Sequence, residues 1–289
     1  MSDYMIRKVK SWWLQGLRAL FRGEVASAHT PSDAVARDRL WRGLERTMLF
    51  EHLNPAELAR LQRLMQVFLA EKNIVGAQGY EPDECDLHRL AAQACLPVLY
   101  LDLRCYGRFV DVILYPDAFV APRAHVDEAG VLTQWQDVLS GEAMDDGPVV
   151  LSAPNLSPPV PGDRECLVIH EFTHKLDQYF RLSDSPMARG SSPPAILARE
   201  LAQVYDDFST RVQELEQKLP ADLDPESIEA DAWYADLPLD PYAATDAAEC
   251  LAVSAEAFFC ADARLARHYP RLDEALSGFF RQRPGRSNR

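Results

Sequence analysis

Two histidines four residues apart with a glutamate beside the first, His170-Glu171-Phe172-Thr173-His174, are the residues of this chain best placed to do chemistry. On a helix of about 3.6 residues per turn they stand one above the other on a single face, where two imidazoles reach one metal ion. Glu171 then lies close enough to take a proton from a water on that metal without ligating it, the division of labour that metal-assisted hydrolysis requires. No Gly or Pro interrupts residues 164–180. Val168, Phe172, Leu176 and Tyr179 recur at three- and four-residue steps, with Leu167, Ile169 and Phe180 beside them. That spacing predicts a helix with one side on a core and the His170/His174 side in a cleft.

A catalytic zinc takes three protein ligands and leaves one position for water. The metzincin extension would need Gly at position 177 and His at position 180; the chain has Asp177 and Phe180, which excludes it. His29, His52, His88, His125 and His268 are candidates by chemistry alone, although each is more often a surface or core histidine. Glu249 and Glu256 offer the carboxylate solution. They are two turns apart on one helical face, amid Cys250, Leu251, Ala252 and Val253, where a carboxylate is costly to bury unless paired or metal-bound. Glu249 is also spaced from Asp246 as a capping-box glutamate would be. Spacing alone leaves the two open. Cys166, one turn before His170, has ligand chemistry as a thiolate but reads as a core thiol. Asp177, one turn past His174, is expected either to accept an N–H from a ligand histidine or to sit solvated at the helix end.

The elements that must position these groups can be read in order. Residues 23–33 form a linker ending in a Ser32 or Asp33 cap. Leu40, Leu44, Met48 and Leu49 predict a helix. Asn54-Pro55 opens the next, with Leu58, Leu61, Leu64, Met65, Phe68 and Leu69 as its buried stripe. A Gly76/Gly79 loop precedes an apolar helix over Leu87–Leu101. Arg108–Pro116 is a strand, as are Ala118–Pro122, Gln134–Leu139 and Pro148–Ser152; such strands can present an edge to an extended peptide. The Pro-rich residues 153–163 admit no helix. After the His170 helix come a loop over Leu182–Pro194 and a long helix over Ala195–Leu219. Ala221–Asp240, with seven acidic residues and no basic one, is expected to be a solvated loop. The last main helix starts near Thr245-Asp246, and a shorter one covers Pro270–Phe280.

Composition bounds the rest. With 289 residues, 47% of them hydrophobic, the chain can bury a large core. A formal charge of -14 excludes a general nucleic-acid binder, which needs a basic surface. No apolar run of transmembrane length occurs. Ile6, Val9, Trp12, Trp13, Leu17, Leu20 and Phe21 alternate with Arg7, Lys8, Lys10, Arg18 and Arg22. Residues 6–22 therefore read as a basic amphipathic helix that docks on its own domain or makes weak contact with an anionic membrane or a partner, not as a signal peptide. The six cysteines lack metal-ribbon spacing, so reduced thiols in a cytoplasmic protein are expected.

Six ordered blocks carry a resemblance: Phe-Leu-Ala-Glu-Lys at 68–72, Ala-Ala-Gln-Ala-Cys at 91–95, Leu-Tyr-Pro-Asp-Ala-Phe-Val at 114–120, Leu-Ser-Gly-Glu-Ala at 139–143, His-Glu-Phe-Thr-His-Lys-Leu-Asp at 170–177, and Ala-Glu-Cys-Leu-Ala-Val-Ser-Ala-Glu-Ala-Phe-Phe at 248–259. Over roughly residues 35–280 the chain is similar to the Mlc titration factor A family of zinc peptidases. That family, like the similar anthrax lethal factor catalytic domain, places a tyrosine seven residues before its ligand glutamate. Tyr242 stands seven before Glu249, so the resemblance selects Glu249 over Glu256. It implies an α+β zincin-like domain, helix-rich with a small mixed sheet, at 35–280, between a basic N-terminal segment and linker at 1–34 and a flexible basic tail at 281–289. It further implies one Zn2+ held by His170, His174 and Glu249, with Glu171 as general base, Tyr242 as oxyanion donor, and peptidase activity that includes aminopeptidase cleavage. The family name points to a second possibility, a regulatory zinc protein that sequesters a transcriptional repressor such as Mlc.

Overall fold

The computed structural model describes residues 41–126, 132–139, 141–143, 147–184, 191–220, 223 and 230–285. The segment 6–22 expected to be amphipathic, His29, the middle of the 182–194 loop and the first part of the acidic run apart from residue 223 therefore lie outside the described residues.

The first long helix, α1 (Pro55–Glu71), starts where Asn54 Oδ1 accepts from the backbone N–H of Ala56 and Glu57 while Glu57 returns a bond to the Asn54 N–H. This reciprocal cap satisfies amides that the helix itself leaves unpaired. Leu61, Met65 and Phe68 are its buried stripe. Strand β1 (Asn73–Gly76) follows, then α2 (Glu84–Cys95), β2 (Asp111–Tyr115), the hairpin strands β3 (Phe119–Val126) and β4 (Leu132–Leu139), and the short strands β5 (Gly141–Ala143) and β6 (Val149–Ser152). The remainder is helical: α3 (Leu167–Phe180), α4 (Pro193–Glu216), the single turn α5 (Asp231–Tyr234), α6 (Ala247–Phe259), α7 (Ala263–His268) and α8 (Pro270–Phe280).

The main sheet has strand order β1-β2-β6-β5, with β1, β2 and β6 parallel and β5 antiparallel to β6. Side chains alternate across it. Val112, Leu114, Val149 and Leu151 face the large helical core, whereas Ile113 and Val150 pack with Ala77 in a small cluster of their own. Helix α3 lies against β5 and β6 on one side and α6 on another. Its Phe172 is fully buried among the rings of Phe68, Tyr106 and Phe109, so α3 is bolted to α1 and to the segment leading into β2 by the face turned away from His170 and His174.

Several expectations are corrected. β1 and β5 occupy stretches not read as strands, because three or four residues containing glycine give no countable period. The helix placed over Leu87–Leu101 starts three residues earlier, where Asp83 and Asp86 form a reciprocal cap, and ends at Cys95. Of the segment around Leu44 and Met48, only residues 41–44 are helical among those described; turns follow. Pro154 sits inside a one-turn 3-10 helix over Ala153–Leu156, since proline is tolerated in a first turn. Tyr179 is 53% exposed, not part of the buried stripe, as the last turn of α3 runs out of the core before Arg181 closes it in a left-handed conformation. The described end of the acidic run is not wholly solvated: Ala230, Tyr234, Leu237 and Leu239 are buried. Beyond α8, Gln282 is buried and donates to Leu96 O at 2.8 Å. All six cysteines are free, and among the described residues no helix is long and apolar enough to cross a membrane.

Candidate metal centre

Helices α3 and α6 build the site between them. His170 and His174 stack along α3 with ring centroids 4.9 Å apart. On α6, Asp246 Oδ1 accepts from the N–H groups of Ala248 and Glu249. The Glu249 side chain turns instead to the histidines, with Oε2 3.0 Å from His170 Nε2 and 3.4 Å from His174 Nε2. Four ligands at about 2.0–2.1 Å around a tetrahedral ion stand about 3.3 Å from one another. The donor atoms of His170, His174 and Glu249 all lie within 4.8 Å of one another, and theirs is the one such group of three among the described residues. Two imidazoles and a carboxylate suit zinc by donor type as well as by spacing.

Electrostatics follow from this crowding. Burial disfavours the charge on Glu249, but hydrogen bonds from His170 and His174 outweigh it and hold the carboxyl down at about 2. Burial also disfavours a charged His170, yet bonds to Glu249 and Glu256 push its pKa up to about 10. Glu171 is buried (4% exposed) and adds to the negative field at His170 and Tyr242. Anionic groups so placed beside two imidazoles are balanced well by a divalent cation.

Tyr242 comes from a 3-10 turn, Pro241–Ala244, whose start is fixed by Asp240 accepting from the Tyr242 N–H at 2.9 Å. Its ring centroid is 6.1 Å from that of His170, and it hydrogen-bonds Glu249. Partial burial first, then the charges of Glu249 and Glu171, raise its pKa to about 12, so the phenol keeps its proton at neutral pH.

Glu256, the rival to Glu249 on spacing, goes to the other side of the same imidazole: Oε1 is 2.7 Å from His170 Nδ1, and Oε2 accepts the Cys166 backbone N–H at 2.5 Å. Asp177 is not the partner of a ligand histidine; its carboxylate accepts from Ser183 N and Ser183 Oγ, at 2.8 and 2.5 Å, and ties down the chain beyond α3. Cys166 stays out of the donor cluster as a buried thiol donating to Gln93 Oε1 at 3.1 Å, its pKa raised well above the usual thiol value by burial. Of the other histidines, His88 bonds Glu84 O, and His52 and His268 are not in the cluster; the side chain of His125 lies outside the described residues. Arg164, on which no sequence signal falls, bonds Asp262 and Pro238 O, each at 2.8 Å, and so ties the approach to α3 to the segment leading to Tyr242. A lone arginine before a helix carries no spacing signal.

Residues 25–281 match the family described as glucose-regulated metallo-peptidase M90. The chain belongs to this metallopeptidase family. It is 33% identical over 244 residues to Mlc titration factor A of Cronobacter sakazakii, covering 84% of this chain and 86% of that one. It is also 33% identical to the Salmonella arizonae protein of that name over 247 residues (86% and 92% of the two chains), and 34% identical to that of Salmonella paratyphi B over 236 residues (82% and 83%). The zincin-like α+β expectation therefore holds: a metallopeptidase-family domain, helix-rich, with a small sheet that is parallel except for β5. Membership of the M90 family implies a divalent metal, and the α3–α6 seam carries a donor set that fits one.

Proposed function

We propose that this protein is a zinc-dependent peptidase that holds one Zn2+ per chain through His170 Nε2, His174 Nε2 and Glu249 Oε2. The observation that carries the reading is the approach of one carboxylate oxygen to both ring nitrogens, at 3.0 and 3.4 Å, in a metallopeptidase family. The chemistry zinc would supply there is to lower the pKa of a water from about 15.7 toward about 7 and to polarise the scissile carbonyl. Glu171 takes the proton of the attacking water and returns it to the leaving amine, a role worth about 10²–10⁴ in rate. Tyr242, protonated at neutral pH, donates its O–H to the carbonyl oxygen as negative charge develops there, worth about 10²–10³. β5 is an edge strand of the main sheet, a position at which backbone groups can pair with an extended peptide. A preference for free N-termini belongs to the same proposal, supported by the family resemblance and by a chain charge of -14 that attracts a cationic end.

Glu171→Gln should keep zinc bound and lower peptide turnover by about 10²–10⁴; turnover at the wild-type rate would overturn the mechanism. Tyr242→Phe should lower kcat by about 10²–10³ with little change in KM. Peptide libraries with free and blocked N-termini test the end preference.

A second reading is favoured by the name of the relatives, which refers to titration of Mlc: a protein that binds and sequesters a transcriptional repressor of that kind. A cellular phenotype that persists in Glu171→Gln supports this reading over catalysis. We place the peptidase domain at 35–280, after a segment (1–34) whose residues 6–22 either dock on that domain or contact an anionic membrane weakly, and before a basic tail (281–289). Six free thiols support a cytoplasmic protein, and a net charge of -14 supports one with no direct nucleic-acid contact.

A further inference from the structure

We propose that Glu256 is a positioning residue that fixes the tautomer and orientation of His170; this rests on the zinc site proposed above. Glu256 is 5% exposed on α6 and spends both oxygens on α3. Oε1 accepts from His170 Nδ1 at 2.7 Å. With the Nδ1 proton held there, Nε2, the nitrogen that faces Glu249 and stands in the cluster with His174, is the one left to offer its lone pair to a metal. The other oxygen accepts the N–H of Cys166 at 2.5 Å. Cys166 is the N-cap of α3 and has no side-chain capping bond of its own; Glu256, from a neighbouring helix, accepts the first of the amides that the helix leaves unpaired, as the carboxylate of a capping box does. One carboxylate thus sets both where α3 begins and how the ring one turn later is turned.

The two bonds make the test specific. Both donors need an acceptor, and a glutamine in place of Glu256 offers only one oxygen; its amide NH2 must oppose either His170 Nδ1–H or the Cys166 N–H. Glu256→Gln should therefore weaken zinc binding, measured by competition with a chromophoric chelator, by about 10–100-fold. The visible ligand-field spectrum of the cobalt-substituted protein should change with it. A capping role alone would lower the melting temperature of metal-free and zinc-loaded protein equally. Loss of ring positioning shrinks the gap between the two, because stabilisation by a ligand follows its affinity. Where Glu256→Gln does not fold, Glu256→Asp, one methylene short of both donors, should lose zinc affinity in the same direction. Zinc affinity within twofold of wild type together with an unchanged cobalt spectrum would overturn the inference while leaving the proposed site intact. A wild-type protein that binds no zinc would overturn the site and this inference with it.

Discussion

Replacing Phe172 by alanine should remove the main anchor of the metal-site helix while leaving the donor atoms in place. The ring is fully buried and meets Phe68, Tyr106 and Phe109 with centroids 5.6, 5.0 and 5.8 Å away. Truncating a buried phenylalanine costs about 3–5 kcal/mol through lost transfer energy and the cavity left behind. Each aromatic pair adds about 0.5–1.5 kcal/mol beyond its area, which places Phe172→Ala at the upper end, about 4–5 kcal/mol. In a domain of this size each kcal/mol lowers Tm by about 2–4 °C, so the expected fall is about 8–20 °C. Two residues on a helix are about 200° of rotation, so the ring points away from both histidines, and folded Phe172→Ala should still take up one zinc. Thermal unfolding of the metal-free protein by circular dichroism measures the loss, and metal analysis below the transition measures the site. Tyr179→Ala is the control: with Tyr179 53% exposed, its effect should stay within about 0.5 kcal/mol. A fall in Phe172→Ala of less than about 1 kcal/mol would refute the claim that α3 is held through this ring.

Gly76→Ala should destabilise the fold by about 1–3 kcal/mol or more, since its new Cβ would stand 1.7 Å from Tyr80 O, a backbone atom that cannot swing away; urea unfolding reads this directly. Burial raises the Asp262 pKa, but the Arg264 N–H and the charge of Arg164 outweigh it and hold the carboxyl below the ordinary aspartate value. Its stabilising contribution is therefore present above that value and is lost as pH falls through the lower folded value. Asp262→Asn should flatten the acid limb of a stability-versus-pH curve in that window and lower stability at neutral pH.

What the chain declares about itself depends on length and repetition. α1 was readable because Asn54-Pro55 supplies a cap and a first residue and the Leu61/Met65/Phe68 stripe repeats over 17 residues. α3 was readable for a similar reason, except at Tyr179, where periodicity continues but the core does not. β1 and β5 left no trace, being too short to show alternation; their existence is imposed by pairing with β2 and β6. Asp177 illustrates a further limit: one turn past His174 it has the right chemistry to orient an imidazole, yet the backbone of Ser183, brought back by the left-handed Arg181, captures it first.

The choice between Glu249 and Glu256 was undecidable on spacing for a reason the fold makes plain. Seven residues are nearly two full turns, so both carboxylates leave α6 in the same direction, with Cα atoms about 10 Å apart along the axis. His170 lies between them and offers a nitrogen to each: Nε2 to Glu249, Nδ1 to Glu256. Both glutamates therefore obey the same rule, that a carboxylate in an apolar helix must find a partner. Which nitrogen each receives is set by the way α3 crosses α6, a tertiary quantity invisible in either segment. The same geometry makes the helix seam and the donor cluster one structure. A shift of α6 along α3 would displace the candidate ligand and the group that orients the first histidine together, so the packing that stabilises the domain also holds the three donor atoms at their spacing before any ion arrives.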